Sequence, residues 1–213
     1  MTLTTRHRRS VTGLALAAGA TAAAWWLTDT APYPYSQRLF LDLPLPGLTS
    51  ARLDEVLAPR AGERILEIGP GTGLQSLHVA PQLSPGGQLD VLDVQAAMLD
   101  HVARRAAARQ ITTIRPALAD ARELPYPDGV FDAAYLITAL GEIPDPERAL
   151  QEIARVLTPG GRLVVGEFFD RHWIPFRHLR HLASACGLQL DTFRGASLSY
   201  LARFRPAPRP DVN

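Results

Sequence analysis

Apolar and polar positions along the chain switch between two periods. Short apolar runs at residues 64–68, 88–93, 130–140 and 162–167 have the length and bounding loops of buried strands. Between them, apolar positions fall at helical spacing. Ala149, Leu150, Ile153, Val156 and Leu157 share one face of a segment that Pro159, Gly160 and Gly161 end. Strand and helix patterns in alternation predict a parallel α/β sheet. Residues 48–57 read as a helix that stops before Pro59, and residues 179–186 as another before Gly187. Two last strands, 188–193 and 197–204, are joined only by Arg194-Gly195-Ala196, so they should run antiparallel. A Pro-rich end, residues 206–213, reads as a frayed tail.

The first strand carries the densest chemistry. Arg64-Ile65-Leu66-Glu67 leads into Ile68-Gly69-Pro70-Gly71-Thr72-Gly73, and an Ala/Leu-rich, helix-like segment follows. A strand, a glycine turn and a helix form the first unit of a nucleotide-binding sheet. The glycines permit a sharp turn and close backbone approach to a ligand, and the helix start offers N–H groups. The spacing G-x-G-x-G departs from the dinucleotide fingerprint, and Leu74 stands where a third small residue belongs. Glu67 would repel a pyrophosphate but suits a ligand with a cationic amine. Asp93 ends the second strand, about twenty residues past the loop, where such sheets hold ribose hydroxyls. It could also cap the next helix. Asp90 points to the opposite face of that strand.

The acid and alternating glycines resemble motif I of the class I S-adenosylmethionine-dependent methyltransferases. The resemblance runs from about Arg60 to about Phe204. Asp93-Val94-Gln95-Ala96-Ala97-Met98-Leu99 meets the same family's second motif. Asp120-Ala121 matches the pair that lies against the adenine, and residues 143–161 resemble the small-molecule enzymes related to ubiquinone and menaquinone C-methylation. The resemblance implies a Rossmann-like α/β fold. Its sheet has seven mostly parallel strands with an antiparallel last strand and helices on both faces. The implied cofactor is S-adenosylmethionine, released as S-adenosylhomocysteine. The cofactor contacts implied are Glu67, Gly69, Pro70, Gly71, Thr72, Gly73, Asp93, Val94, Met98, Asp120, Ala121 and Thr138.

For the acceptor side, the family's segment before motif I caps the pocket, making Tyr33, Tyr35 and Arg38 lid candidates. A packed linker is the alternative for them. Many quinone-type relatives carry a histidine pair after the fourth strand, where this chain has Gly141-Glu142. Glu142 is therefore the candidate base or anchor, or else a charge at a helix start. Asp170 and His172 follow the fifth strand at the same rim.

Composition narrows the options. A chain of 213 residues fits one α/β domain with an N-terminal extension. The boundaries expected are 1–30, a basic and apolar helix; 31–59, a lid and first helix; 60–205, the cofactor-binding domain; and 206–213, the tail. A formal charge of +1 does not indicate nucleic acid. All 22 basic residues are Arg, so no lysine is available for a Schiff base. One cysteine, Cys186, excludes an intramolecular disulfide and reads as a packing residue. No metal site is expected, since His178 and His181 lack an acidic partner.

The N-terminus holds Arg6-His7-Arg8-Arg9, then an apolar run over residues 11–27 that ends near Trp25 and Trp26. An export signal, a spanning anchor and a helix lying on a bilayer all fit. The positive-inside rule would send a domain behind such an anchor out of the cytosol, away from where the cofactor is made. A cytosolic domain whose N-terminal helix touches the membrane is favoured, with a single-pass anchor as the alternative. The function expected is methyl transfer by in-line displacement to a small lipophilic acceptor such as a quinone, isoprenoid or lipid. A water-soluble acceptor and a non-catalytic cofactor-binding module are the alternatives. Oligomeric state is not legible.

Overall fold

The computed structural model describes residues 31–43 and 45–207, so the expected N-terminal helix and the end of the tail lie outside the described residues. Seven strands form one sheet in the order β3-β2-β1-β4-β5-β7-β6. They are β1 (Arg64–Ile68), β2 (Gln88–Asp93), β3 (Ile114–Leu118), β4 (Phe131–Ile137), β5 (Leu157–Phe168), β6 (Leu188–Ala196) and β7 (Ser199–Pro206). The pairs among β1 to β5 are parallel. β7 runs antiparallel to both β5 and β6, so it alone is reversed. The expected Rossmann-like α/β architecture is what the chain adopts.

Alternation along the strands fills two layers. Ile65, Ala133, Tyr135 and Val164 face one side, where they pack with Leu53, Val56 and Val102. Leu66, Ala134, Leu136 and Val165 face the other, against Leu150, Ile153 and Leu179. The first layer is covered by α1 (Ser50–Leu57), α2 (Ser76–Val79) and α3 (Ala96–Ala107), the second by α4 (Pro146–Val156) and α5 (Phe176–Ala185). Strands buried on both faces need apolar runs rather than strict alternation, which is why the sequence showed such runs.

Three local expectations change. The helix after the glycine loop is one α turn, followed by a 3₁₀ turn over Ala80–Leu83. Pro81 has no N–H for the next α hydrogen bond, so the helix cannot continue. α4 ends at Val156, ahead of Pro159, and Leu157 already opens β5. The residues between become a bulge. Phe131 pairs with Leu157 but Ala133 pairs with Arg162. β4 stops at Ile137 rather than running on to residue 140, because Thr138 takes a φ of 52° and breaks the extended path. Among the described residues no helix is long and apolar enough to cross a membrane.

The order reverses at β1, which lies between β2 and β4. Chain leaving β1 and β4 diverges there and opens a crevice at the carboxyl edge of the sheet. At the opposite edge, buried Arg162 ties the frame together. Its guanidinium donates to the carbonyls of Leu57 and Ala58 and to both oxygens of Glu63, at 2.9 and 2.7 Å. Arg162→Met should lower unfolding stability by ~3–5 kcal/mol in denaturant titration, since a largely enclosed Glu63 carboxylate and two carbonyls lose their donor. A loss under about 1 kcal/mol would show that this network contributes little.

Candidate active site

The glycine loop takes its shape from three positive φ angles: Gly69 at 68°, Gly71 at 53° and Gly73 at 82°. They do different work. A Cβ on Gly69 would stand 2.6 Å from the Ala139 Cβ, so glycine lets the β1 and β4 loops touch. A Cβ on Gly71 would stand 3.0 Å from Leu41, a residue of the segment that covers the loop. At Gly73 the neighbour is Val102 of α3 at 3.0 Å. Gly73 therefore serves helix packing. It does not border the crevice, unlike the other expected cofactor contacts.

That crevice is a cavity of about 290 Å³. Glu67, Gly69, Pro70, Gly71 and Thr72 line it from β1 and its loop, and Asp93, Val94 and Met98 from β2 and α3. Asp120 and Ala121 border it after β3, and Thr138 after β4. Eleven of the twelve residues expected to contact a cofactor thus share one wall. Thr138 holds a left-handed φ of 52° while its N–H donates to the Gly166 carbonyl at 2.7 Å. A β-branched residue rarely adopts that conformation, and such strain concentrates at functional sites.

The carboxylates of this wall differ in environment. Glu67 is only 4% exposed. Its carboxylate accepts a hydrogen bond from the Ser76 hydroxyl, and no arginine or histidine reaches it among the described residues. Burial pushes its pKa up to about 7, against the pull of that hydrogen bond. Asp93 is also raised by burial, although its Oδ1 accepts the Gln95 N–H at 2.8 Å. Asp120 is lowered instead, because the Arg122 guanidinium forks onto both its oxygens at 3.1 and 2.7 Å.

A strap crosses the opening. Residues Tyr35–Asp42 form a 3₁₀ helix that packs over the glycine loop. Tyr33 is pinned through its backbone from both sides: its N–H donates to Glu142 Oε2 at 2.7 Å, and its carbonyl accepts from Gln95 Nε2 at 2.8 Å. Asp42 Oδ1 accepts from the Thr72 hydroxyl at 2.7 Å and from Arg105 at 2.9 Å. Beneath the strap the cavity is apolar, lined by Phe40, Leu41, Leu43, Leu45, Ile143 and Phe168. None of these was singled out from the sequence. The apolar run broken by Pro44 and Pro46 was the available signal.

The acceptor-side expectations divide. Tyr33, Glu142 and Asp170 line the cavity. Tyr35 and Arg38 do not: Arg38 stacks on the Tyr35 ring at 4.4 Å, and the Tyr35 hydroxyl accepts from Arg104 on the outer face of α3. His172 is not in the lining either. Its N–H donates to Asp170 Oδ1 at 2.8 Å, and its carbonyl abuts Gly141. A Cβ at position 141 would collide with that carbonyl, so a histidine cannot stand there while this loop keeps its path. Glu142 precedes α4 by several residues, and Asp145 caps that helix instead. Glu167, unassigned from the sequence, is buried beside Asp170 and Glu142. Burial first, then these two charges, push it up to about 8. No group of His, Cys, Asp or Glu could hold a metal among the described residues.

Comparison with known proteins points to the same family resemblance. Residues 66–165 match the family model described as a methyltransferase domain. The demethylmenaquinone methyltransferase of Thermus thermophilus is 40% identical over 117 residues, 55% of this chain and 52% of that protein. The chain therefore spans about half the length of the curated relatives it matches. A SAM-dependent methyltransferase from Aquifex aeolicus superposes with a TM-score of 0.76 at 15% identity, covering 82% of this chain and 100% of that one. The geranyl diphosphate C-methyltransferase of Streptomyces coelicolor does so at 0.64 and 16%, over 74% and 78%. These two establish the fold. The family match over residues 66–165 agrees with the resemblance read from the sequence.

The two buried glutamates set a pH dependence. Each has a folded pKa above the ordinary 4.5, at about 7 for Glu67 and about 8 for Glu167, so folding favours the protonated form. The stability they contribute is complete below the ordinary value and is lost as pH rises through 7 to 8. Without ligand, the melting temperature should fall between pH 5 and pH 8, and Glu167→Gln should recover stability on the order of 2 kcal/mol at the upper end. Parallel curves for the two proteins would contradict the assignment.

Proposed function

We propose that the chain is an S-adenosylmethionine-dependent methyltransferase acting on a small lipophilic acceptor. The observation that carries this is one cavity with two halves. A carboxylate-and-glycine wall meets an apolar chamber under a pinned strap. The relative from Thermus thermophilus is named for a quinone precursor, and that from Streptomyces coelicolor for an isoprenoid diphosphate. An apolar chamber agrees with acceptors of that character.

The polar wall fits the cofactor. Glu67 is a buried carboxylate with a hydroxyl as its hydrogen-bonding partner, and it favours an ammonium. Asp93 takes ribose hydroxyls at the carboxyl end of β2. Val94, Met98 and Ala121 supply apolar contact for a base, with Asp120 at its edge. When bound, the cofactor supplies an electrophilic methyl group on a sulfonium sulfur.

The protein's share is alignment. Chain that approaches as closely as Gly69 does to Ala139 keeps the floor between the two halves thin. The strap excludes water and holds the acceptor against that floor. Glu142 acts as a positioning residue, since one of its oxygens fixes the Tyr33 backbone. Asp170, at the apolar end of the cavity, is the candidate to take a proton when the acceptor must lose one.

The test uses the full chain with methyl-labelled S-adenosylmethionine and a whole-cell extract of its source, followed by phase partition. Label should enter the organic phase. Label confined to the aqueous phase would replace the lipophilic acceptor with a soluble one, and cofactor binding without transfer would leave a binding module. Asp93→Ala should weaken cofactor affinity by ~1–3 kcal/mol in equilibrium dialysis. Unchanged affinity would remove Asp93 from the site.

A further inference from the structure

Among the described residues nine large apolar side chains are exposed, and their placement is uneven. Leu190, at the start of β6, lies alone at the far edge of the sheet. The other eight stand at the carboxyl edge, where the cavity opens. Leu39, Phe40 and Leu43 come from the strap, at 73%, 53% and 56% exposure. Phe169 follows β5, and Leu198, at 55%, sits in the β6–β7 turn. Since β6 runs parallel to β5, that turn lies at the carboxyl edge too.

Hydrogen bonds join the segments that carry five of these residues, Leu39, Phe40, Leu43, Phe169 and Leu198. The Phe169 N–H donates to the Leu198 carbonyl at 2.8 Å. The Ser199 hydroxyl donates to the Pro46 carbonyl at 2.6 Å, which joins the turn to the strap. Phe40 and Leu43 also line the cavity, so the surface continues into the apolar chamber. Exposed apolar surface of this extent marks an interaction site.

The chain itself says what meets it. The apolar run over residues 11–27, with Arg6, Arg8 and Arg9 before it, leads directly to the cavity mouth, where Pro32 is part of the lining. Five residue steps separate Leu27 from Pro32, a reach of at most ~18 Å. An apolar segment flanked by arginines suits an anionic lipid surface. A folded partner or the run itself, laid across the surface, would close the mouth through which an apolar acceptor must pass. A bilayer covers the surface and holds such acceptors at the same time.

We propose that Leu39, Phe40, Leu43, Phe169 and Leu198 form a membrane-docking collar that seats the cavity mouth on an anionic bilayer. The proposal rests on the lipophilic-acceptor reading. It adds a second contact, separate from residues 11–27, that fixes how the domain faces the membrane.

Co-sedimentation of the full chain with phosphatidylcholine vesicles containing phosphatidylglycerol reads the collar without cofactor or acceptor. It therefore stands or falls apart from the methyl-transfer assay. The double variant Leu39→Asp, Leu198→Asp touches no cavity-lining residue. It should bind these vesicles at least about tenfold more weakly while keeping wild-type cofactor affinity. Equal vesicle binding by the two proteins would overturn the proposal. So would hydrogen exchange showing residues 39–43 and 196–199 equally protected with and without vesicles, because the collar would then be covered by protein.

Discussion

Burying a carboxylate without a cation sets the terms for this site. Glu67 stands one residue before the end of β1, where main-chain hydrogen bonds to β2 and β4 hold it in place. Burial pushes its pKa up to about 7, against the lowering pull of the Ser76 hydroxyl. The surrounding architecture follows from keeping that group out of water. Glycine turns bring the loops after β1 and β4 together, and the strap closes over them through Asp42 and Tyr33. A ligand carrying positive charge relieves the desolvation that burial imposes. The same wall offers little to a dinucleotide, whose pyrophosphate would meet Glu67.

The strap converts a polar ligand wall into a two-part chamber. Its two attachments differ in kind. Asp42 latches onto the glycine loop and α3, so the strap is tied to the wall that would hold the cofactor. Tyr33 bridges Gln95 and Glu142, so it is tied also to the loop after β4, on the acceptor side. The segments after β2 and β4 thus share one point of attachment, the Tyr33 backbone. The close approach of the His172 carbonyl leaves Gly141, just before Glu142, no room for a side chain.

The legible part of this protein was local. Glu67 with its glycines and Asp93 are short motifs whose geometry is set by adjacent residues, and the strands between them carry apolar runs. The packing demand on Gly73 comes from Val102 on a later helix, which the local motif does not reveal. Glu142 was read as a base or a helix charge, since its partner Tyr33 lies 109 residues away. For Tyr35 and Arg38 the sequence leaves a lid and a packed linker open. Only the 3₁₀ path of residues 35–42 decides that they turn toward α3 while Phe40 and Leu41 turn in. Glu167 escaped notice because its burial depends on the turn that follows β5, where the Ile174 N–H reaches its carboxylate.

Titration of S-adenosylmethionine into the full chain and into Glu67→Gln, at pH about 6 and about 7.4, tests the account most directly. The ligand's α-amine stays largely protonated over that range. Wild-type affinity should rise as Glu67 ionises, and the rise should vanish in the variant. Absence of binding, or the same pH dependence in both proteins, would contradict the role given to this carboxylate.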